Sequence, residues 1–175
     1  KFPRSASRDR FILSKGHGAA ALFQILAMKG FYSDDLLSDY GEDGSLFAEH
    51  PPSPDYLPGI EAATGSLGHG LPIGLGMALS SRITSKHFHV YVLLGDGECN
   101  EGSIWEAATM AVAQHVDNLT VFVDSNKWQA TDRTSDLVGG ICLKQKWKSF
   151  GWNASEIDGN NMKEVIKVLS KKPKK

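Results

Sequence analysis

The strongest constraint on the fold is a strand–helix–strand pattern in the middle of the chain. Residues 89–94 and Leu119–Asp124 are short, apolar and rich in β-branched side chains, as is typical of strands buried on both faces. Between them, residues 103–116 have the length and apolar spacing of a helix. Strands that are joined by a helical crossover lie parallel. We therefore expect an α/β fold with an open, mainly parallel sheet and helices on both faces.

Further helices are expected from apolar runs and capping residues on either side of this unit. These helices are residues 18–28, 33–40, 71–83, 143–150 and Met162–Leu169, the last of them capped by Asn160 or Asn161. Residues 18–28 are apolar on all sides and should be buried. Gly74 and Gly76 should mark places where residues 71–83 pack closely against another element.

The remaining segments carry weaker signals. Residues 1–10 are polar and are expected to be irregular, and a weak strand is expected near residues 153–157. Residues 41–70 contain four prolines and no regular pattern. An irregular stretch of that length inside a compact domain is usually functional.

Composition and charge exclude several functions. The chain has 175 residues, of which 41% are hydrophobic and 22% charged, so we expect a globular domain rather than a disordered one. A formal net charge of −1 offers no electrostatic footprint for nucleic acid. No apolar run is long enough to span a membrane or to form the core of a signal peptide.

The cysteines and the chain ends suggest where the protein works. Cys99 and Cys142 are too few for a disulfide framework, so we expect small apolar fillers in the reducing cytoplasm. Six of the 19 basic residues lie at positions 163–175 and should form a solvated end. The chain begins with Lys and ends in Lys-Lys-Pro-Lys-Lys. We therefore expect residues 1–175 to be a single domain, cut at both ends from something larger.

Polar side chains follow both of the central strands. Gly95-Asp96-Gly97 comes directly after the first, and Asn126 and Trp128 follow the second. The carboxyl ends of neighbouring parallel strands meet at one edge, where open sheets bind ligands. Mg²⁺ takes about six oxygens, several of them from phosphate and water. Asp96, Asn126, the carbonyl of Trp128, two diphosphate oxygens and one water would complete that set.

Other interpretations of the glycine-rich turn are weaker. A dinucleotide-binding fingerprint needs glycine where Asn100 stands, and an EF-hand loop needs glycine at Glu101 and glutamate at Ala107. Taken alone, Gly95-Asp96-Gly97 is most often a tight turn. The position of Asn126 after the next strand is what favours a cation and a diphosphate.

Four segments together resemble the N-terminal, diphosphate-binding domain of transketolases. Gly95-Asp96-Gly97 with Asn126 resembles the thiamine diphosphate motif of that family. Residues 9–17 resemble the segment that carries a histidine beside the cofactor. Glu49-His50-Pro51 with residues 57–61 resembles the loop of the substrate channel, and residues 64–70 resemble the loop that contacts the aminopyrimidine ring.

The resemblance implies the thiamine diphosphate-binding fold, with thiamine diphosphate and Mg²⁺ (or Ca²⁺) as cofactors. The implied metal ligands are Asp96, Asn126 and the Trp128 carbonyl. The implied cofactor-binding residues are His17, Gly65, Leu67, Gly95, Asp96, Gly97, Glu98 and Asn126. His17 and His50 are the implied catalytic residues, the first beside the reacting carbon and the second beside the substrate hydroxyls. Glu101 and Glu106 match acidic positions at an interface near the cofactor.

The implied activity is transfer of a two-carbon ketol unit from a ketose donor to an aldehyde acceptor, with sugar phosphates or related compounds as substrates. In this family the pyrimidine half of the cofactor is held by a second domain, which this sequence does not contain. The chain is therefore expected to be the N-terminal subunit of a split transketolase, whose partner is a pyrimidine-domain (C-terminal) subunit. Two alternatives stay open, namely a subunit of a 2-oxoacid decarboxylase or dehydrogenase and a non-catalytic binding module.

Overall fold

A three-stranded parallel sheet forms the centre of the molecule. The computed structural model describes residues 5–170, and its strands are β1 (Arg10–Leu13), β2 (Val90–Gly95) and β3 (Leu119–Asp124), in the spatial order β1–β2–β3. Both pairs of neighbours are parallel. The expected parallel pairing of the two central strands is confirmed. β1 was not expected. Part of the Lys-rich end, residues 171–175, lies outside the described residues.

The helices follow the expected order with one addition. They are α1 (Ala19–Met28), α2 (Gly70–Ile83), α3 (Gly102–Ala113), α4 (Thr134–Val138), α5 (Leu143–Ser149) and α6 (Met162–Leu169). Short 3₁₀ turns occur at Gly16–Gly18, Asp34–Asp39 and Gly97–Asn100. The Asn161 side chain caps α6 by accepting a hydrogen bond from the backbone N–H of Lys163, as expected. None of the helices between residues 5 and 170 is long and apolar enough to cross a membrane.

Helices cover both faces of the sheet. On one face Ile12, Val92 and Leu94 are buried in a core that also contains side chains of α2 and α3. On the other face Leu13 is buried with α1, and Leu93 packs at its edge. The expectation that both strands are buried on both faces is wrong in part. α1 packs on Leu13 and Leu93, near the carboxyl ends, and alternate residues of β2 stay half-buried.

Three further expectations were wrong, each for a local reason. Residues 153–157 form no strand, because within the described residues their backbone pairs with none of the sheet strands. The indole N–H of Trp152 before them donates to the Ala108 carbonyl of α3 (3.0 Å). α1 is not buried on all sides, since Met28 is 77% exposed. Cys142 is exposed at the start of α5, whereas Cys99 is the buried filler that we expected.

The two glycines of α2 behave differently. A Cβ added at Gly74 would lie 2.6 Å from Cγ2 of Val92, so the absence of a side chain lets α2 approach β2 closely. A Cβ added at Gly76 would meet no atom within 4 Å. Close packing is therefore confirmed at Gly74 and wrong at Gly76.

Candidate active site

Four loops meet at the carboxyl edge of the sheet. Three of them follow β1, β2 and β3, and the fourth is the segment that precedes α2. The fourth loop is tied to the first, because the Thr64 hydroxyl donates to the Leu13 carbonyl (2.7 Å). A Cβ at Gly16 would lie 2.8 Å from the backbone N of Gly65, so the two loops touch through their backbones. This edge is where an open parallel sheet binds its ligand.

The two histidines that were predicted to be catalytic lie together at this edge. The ring centroids of His17 and His50 are 5.0 Å apart, with their planes 70° apart. His50 rests on Gly65, whose φ of +142° is a conformation that favours glycine, and where a Cβ would lie 2.8 Å from Cδ2 of His50. His17 is exposed and His50 is half-buried. Their catalytic roles stay a prediction.

Asp96 is a buried carboxylate at the end of β2. Only 5% of the surface of Asp96 is exposed to solvent. One carboxylate oxygen accepts a hydrogen bond from the N–H of Gly97 (3.0 Å), and the other accepts from the N–H of Lys127 (3.1 Å) and the hydroxyl of Thr134 (3.0 Å). Asp96 therefore connects the loops after β2 and β3 with the start of α4.

The backbone of Asn126 lies next to Asp96. The peptide group between Asn126 and Lys127 donates to the Asp96 carboxylate, and Trp128 follows one residue later. The side-chain oxygen of Asn126 accepts from the N–H of Trp128 (2.8 Å), which closes a tight turn. The Trp128 ring is 54% exposed and lies 4.9 Å from the guanidinium of Arg133. Metal ligation by these residues stays a prediction.

Glu98 is turned away from the open edge. It is 2% exposed, and its carboxylate accepts hydrogen bonds from the Ser14 hydroxyl, the N–H of Gly68 (3.0 Å) and the N–H of Gly95 (3.2 Å). All of its described partners are groups of the protein itself. A contact between Glu98 and the cofactor stays a prediction.

Two buried carboxylates, Asp96 and Glu98, lie in the turn after β2. None of the three ion pairs between residues 5 and 170 involves Asp96 or Glu98. Burial raises the pKa of the neighbouring Cys99 thiol to about 12, and the charges of Glu98 and Asp96 add to that rise. A buried carboxylate that forms no ion pair is costly, so a cation bound at Asp96 would be stabilising.

The available donors suit a hard cation. Over residues 5–170 no three side chains of His, Cys, Asp and Glu lie close enough together to bind a metal by themselves. A metal here would also need amide, carbonyl and ligand oxygens. That is the donor set of Mg²⁺, which keeps several positions for water and phosphate. The residues present therefore fit the ion that the sequence predicted.

Three residues of the candidate site, Lys15, Gln129 and Thr134, were not predicted from the sequence, and no sequence signal marks them. The ammonium of Lys15 donates to the Asp124 carboxylate (2.7 Å), and so joins the ends of β1 and β3. The Gln129 side chain covers Gly97, where a Cβ would lie 2.8 Å from its Cγ. The Gln129 amide nitrogen is buried and has no hydrogen-bond partner between residues 5 and 170. Thr134, which donates to Asp96, is the third.

Comparison with known proteins agrees with this geometry. The sequence model of the family described as transketolase, thiamine diphosphate binding domain, matches residues 1–175. The chain belongs to this family. As a transketolase-type domain it is 40% identical over 167 residues to one subunit of the apulose-4-phosphate transketolase of Phocaeicola vulgatus, covering 95% of this chain and 59% of the relative. One subunit of a 6-deoxy-6-sulfo-D-fructose transketolase of a Clostridium species is 38% identical over 167 residues, 95% of this chain and 60% of the relative.

Solved transketolases have the same fold. The transketolase of Campylobacter jejuni superposes on 100% of this chain with a TM-score of 0.89, at 29% sequence identity and over 28% of its own length. The resemblance to transketolases and the thiamine diphosphate-binding fold are therefore confirmed. The transketolase-type domain described here spans about 59% of the first of these curated relatives.

Proposed function

We propose that this chain is the diphosphate-binding component of a thiamine diphosphate-dependent transketolase, which transfers a two-carbon ketol unit from a ketose to an aldehyde. The observation that carries the proposal is that His17, His50 and the Gly65 loop lie at the same edge of the sheet as the buried Asp96. Membership of the transketolase family supports ketol transfer over action on a 2-oxoacid. The intact set of site residues supports an enzyme over a non-catalytic binding module.

Asp96, Asn126 and the Trp128 carbonyl would hold Mg²⁺ or Ca²⁺. The cation would offset the buried negative charge of Asp96, whose oxygens already accept three hydrogen bonds from the protein. Gln129 would contribute to binding the diphosphate. Its buried amide nitrogen has no acceptor among residues 5–170, and the side chain that carries it packs on Gly97, so a phosphate oxygen would supply the missing partner.

The remaining residues would orient the cofactor and handle protons. When bound, thiamine diphosphate supplies the carbon nucleophile that attacks a carbonyl group. Gly65 and Leu67 would contact the aminopyrimidine ring, with the backbones of Gly95, Gly97 and Glu98 near the diphosphate. His17 and His50 would donate protons to the substrate oxygens, or accept protons from them, as imidazoles do near neutral pH.

A partner subunit would complete the site. The curated relatives are named as transketolase subunits, which supports a split enzyme. His17, Glu101 and Glu106 are all exposed on the described chain, so a second, pyrimidine-binding subunit could cover this edge. That subunit would exclude water from the reacting carbon. We place the assembled enzyme in the cytoplasm.

The donor would be a ketose with an anionic tail, such as a sugar phosphate. The two relatives are named for apulose 4-phosphate and for 6-deoxy-6-sulfo-D-fructose. A cavity of about 270 Å³ beside Asp96 is lined by Lys127, Arg133 and Lys146. Three cationic side chains around one cavity suit phosphate-bearing compounds, either the cofactor or the substrate.

Cofactor binding by the intact, assembled protein tests the proposal first. Thiamine diphosphate should bind with Mg²⁺ present and fail to bind with a strong chelator, as calorimetric titration would show. Asp96→Asn should weaken this binding by at least about 100-fold, the upper end for residues that merely support a metal ligand. The control Asp158→Asn changes an exposed carboxylate whose one hydrogen bond within residues 5–170 comes from the Asn160 N–H. Equal affinity with and without the chelator would refute the metal assignment.

Activity distinguishes the alternatives. The assembled enzyme should move a labelled two-carbon unit from a ketose phosphate to an aldehyde, as mass spectrometry of the product would show. This chain alone should be inactive, and its partner should restore transfer. Cofactor binding without turnover would support the binding module. Release of CO₂ from a 2-oxoacid would support the decarboxylase alternative, and full activity of this chain alone would refute the need for a partner.

A further inference from the structure

Glu98 is the carboxylate at which three loops of the site meet. Its partners are the Ser14 hydroxyl after β1, the Gly95 N–H at the end of β2 and the Gly68 N–H in the loop before α2. Ser14 and Glu98 are 84 positions apart in the sequence, and Gly68 lies 30 positions before Glu98. One side chain therefore connects segments that the chain itself does not hold together.

The surroundings of Glu98 leave these loops little room to move. Ser14 is fully buried, and a Cβ at Gly70 would overlap its side chain. Gly68 has a φ of +84°, and its carbonyl accepts a hydrogen bond from the Ser103 hydroxyl (2.8 Å). The Glu98 carboxylate thus lies among groups that are packed in place, and each donor points at it from a different loop.

The Glu98 carboxylate is stabilised by hydrogen bonds and not by an ion pair. Glu98 takes no part in the ion pairs of residues 5–170, and it is 2% exposed. Hydrogen bonds to an ionised acceptor are about twice as strong as neutral ones. Removing the charge weakens all three bonds together, so the loops would lose a common anchor.

The two backbone donors belong to the two halves of the proposed cofactor site. Gly68 ends the loop of Gly65 and Leu67, and Gly95 precedes the turn of Asp96 and Gly97. We infer that Glu98 is a positioning residue, which sets the spacing between the aminopyrimidine loop and the diphosphate turn by binding both. This inference rests on the proposed function. Asp96 keeps its own three hydrogen bonds, so the diphosphate turn stays in place when Glu98 is changed.

Two variants and one control test this inference in the intact, assembled protein. Glu98→Gln keeps the volume but turns one acceptor into a donor, which faces at least one N–H or hydroxyl donor. Ser14→Ala is milder and removes one of the three bonds. Ser81→Ala is the matched control, because Ser81 is 1% exposed and bonds to Phe88 at the opposite edge of the sheet.

The readouts are two affinities and one exchange rate. With Mg²⁺ present, Glu98→Gln should weaken thiamine diphosphate binding by about tenfold or more, and tenfold corresponds to about 1.4 kcal/mol. Binding of inorganic diphosphate, which lacks the pyrimidine, should change by less than about twofold, since Mg²⁺ and the Asp96 turn suffice for it. In the cofactor-free protein, hydrogen exchange at the Gly68 amide should become faster. Ser14→Ala should weaken thiamine diphosphate binding and speed exchange at Gly68 by a smaller amount, again with little change for inorganic diphosphate, and Ser81→Ala should shift none of the three.

Each other outcome has a defined meaning. Unchanged exchange at Gly68 would overturn the anchoring by Glu98. If Glu98→Gln weakened the binding of thiamine diphosphate and of inorganic diphosphate equally, the spacing role would be overturned. Both affinities would then depend on the Asp96 turn alone. A wild-type protein that binds no thiamine diphosphate would refute the proposed function, and this inference with it. That case is distinguishable because the wild type itself fails, not only the variants.

Discussion

Replacing Gly65 by alanine should destabilise the protein and displace His50. Gly65 has a φ of +142°, and holding a residue with a side chain in such a conformation costs about 1–3 kcal/mol. The new Cβ would lie 2.8 Å from Cδ2 of His50, well inside van der Waals contact. Such overpacking costs about 1–3 kcal/mol more. The free energy of unfolding should therefore fall by at least about 2 kcal/mol.

Urea unfolding of the intact protein measures this effect, and two further variants separate its causes. Gly76→Ala should raise the stability by about 0.5–1 kcal/mol, because Gly76 lies in a helix with open space around it. In a His50→Ala background the ring is gone, so Gly65→Ala should be less harmful by about 1 kcal/mol or more. What remains is the backbone strain alone.

Two results would refute this reasoning. If Gly65→Ala were as harmless as Gly76→Ala, the left-handed conformation at position 65 would be wrong. If Gly65→Ala had the same effect with and without the ring of His50, the contact between the aminopyrimidine loop and His50 would be wrong. The second result would also remove a main support of the proposed active site.

Three shorter predictions concern other parts of the chain. At pH 8, iodoacetamide should alkylate Cys142 and spare Cys99, whose pKa is about 12, and mass spectrometry that finds Cys99 labelled in the folded protein would contradict this. Burial lowers the pKa of His89, so below the ordinary value of 6.5 the unfolded chain binds a proton that the folded protein does not. The wild type should therefore lose stability relative to His89→Asn as the pH falls. A difference in unfolding free energy that stays constant with pH would exclude this. Gly74→Ala should lower the thermal midpoint, because its Cβ would lie 2.6 Å from Val92, and an unchanged midpoint would contradict that close contact.

The parts of the fold that sequence predicted are those with a repeating local signal. β2 and β3 are continuous apolar runs, and α3 between them has a clear helical pattern, so their parallel pairing followed from the crossover rule. β1 has only four residues, and Phe11 within it is 39% exposed. A strand this short is recognised by its neighbour in the sheet rather than by its own periodicity. α4, with five residues, is a similar case.

The candidate site divides in the same way. Asp96 and Asn126 were predicted because each lies within two residues of the end of a strand, a position that sequence reveals. The burial of the Glu98 side chain among three loops and the packing of Gln129 on Gly97 could not be predicted in this way. They depend on which loops meet in space. The Lys15–Asp124 pair joins residues 109 positions apart, and no local pattern marks such a partner. Side-chain orientation and long-range pairing are tertiary properties, so residue spacing alone did not predict them.

The long-range contacts of the site also determine when it can form during folding. The Ser14–Glu98 and Lys15–Asp124 contacts close loops of 84 and 109 residues. Closing a loop of that size costs chain entropy that grows as about (3/2)RT ln n, and the contact itself returns little until the strands between are paired. We therefore expect these contacts to be among the last to form when the chain folds. A molecule that holds its cofactor has completed the sheet, so occupancy of the site reports the fully folded population.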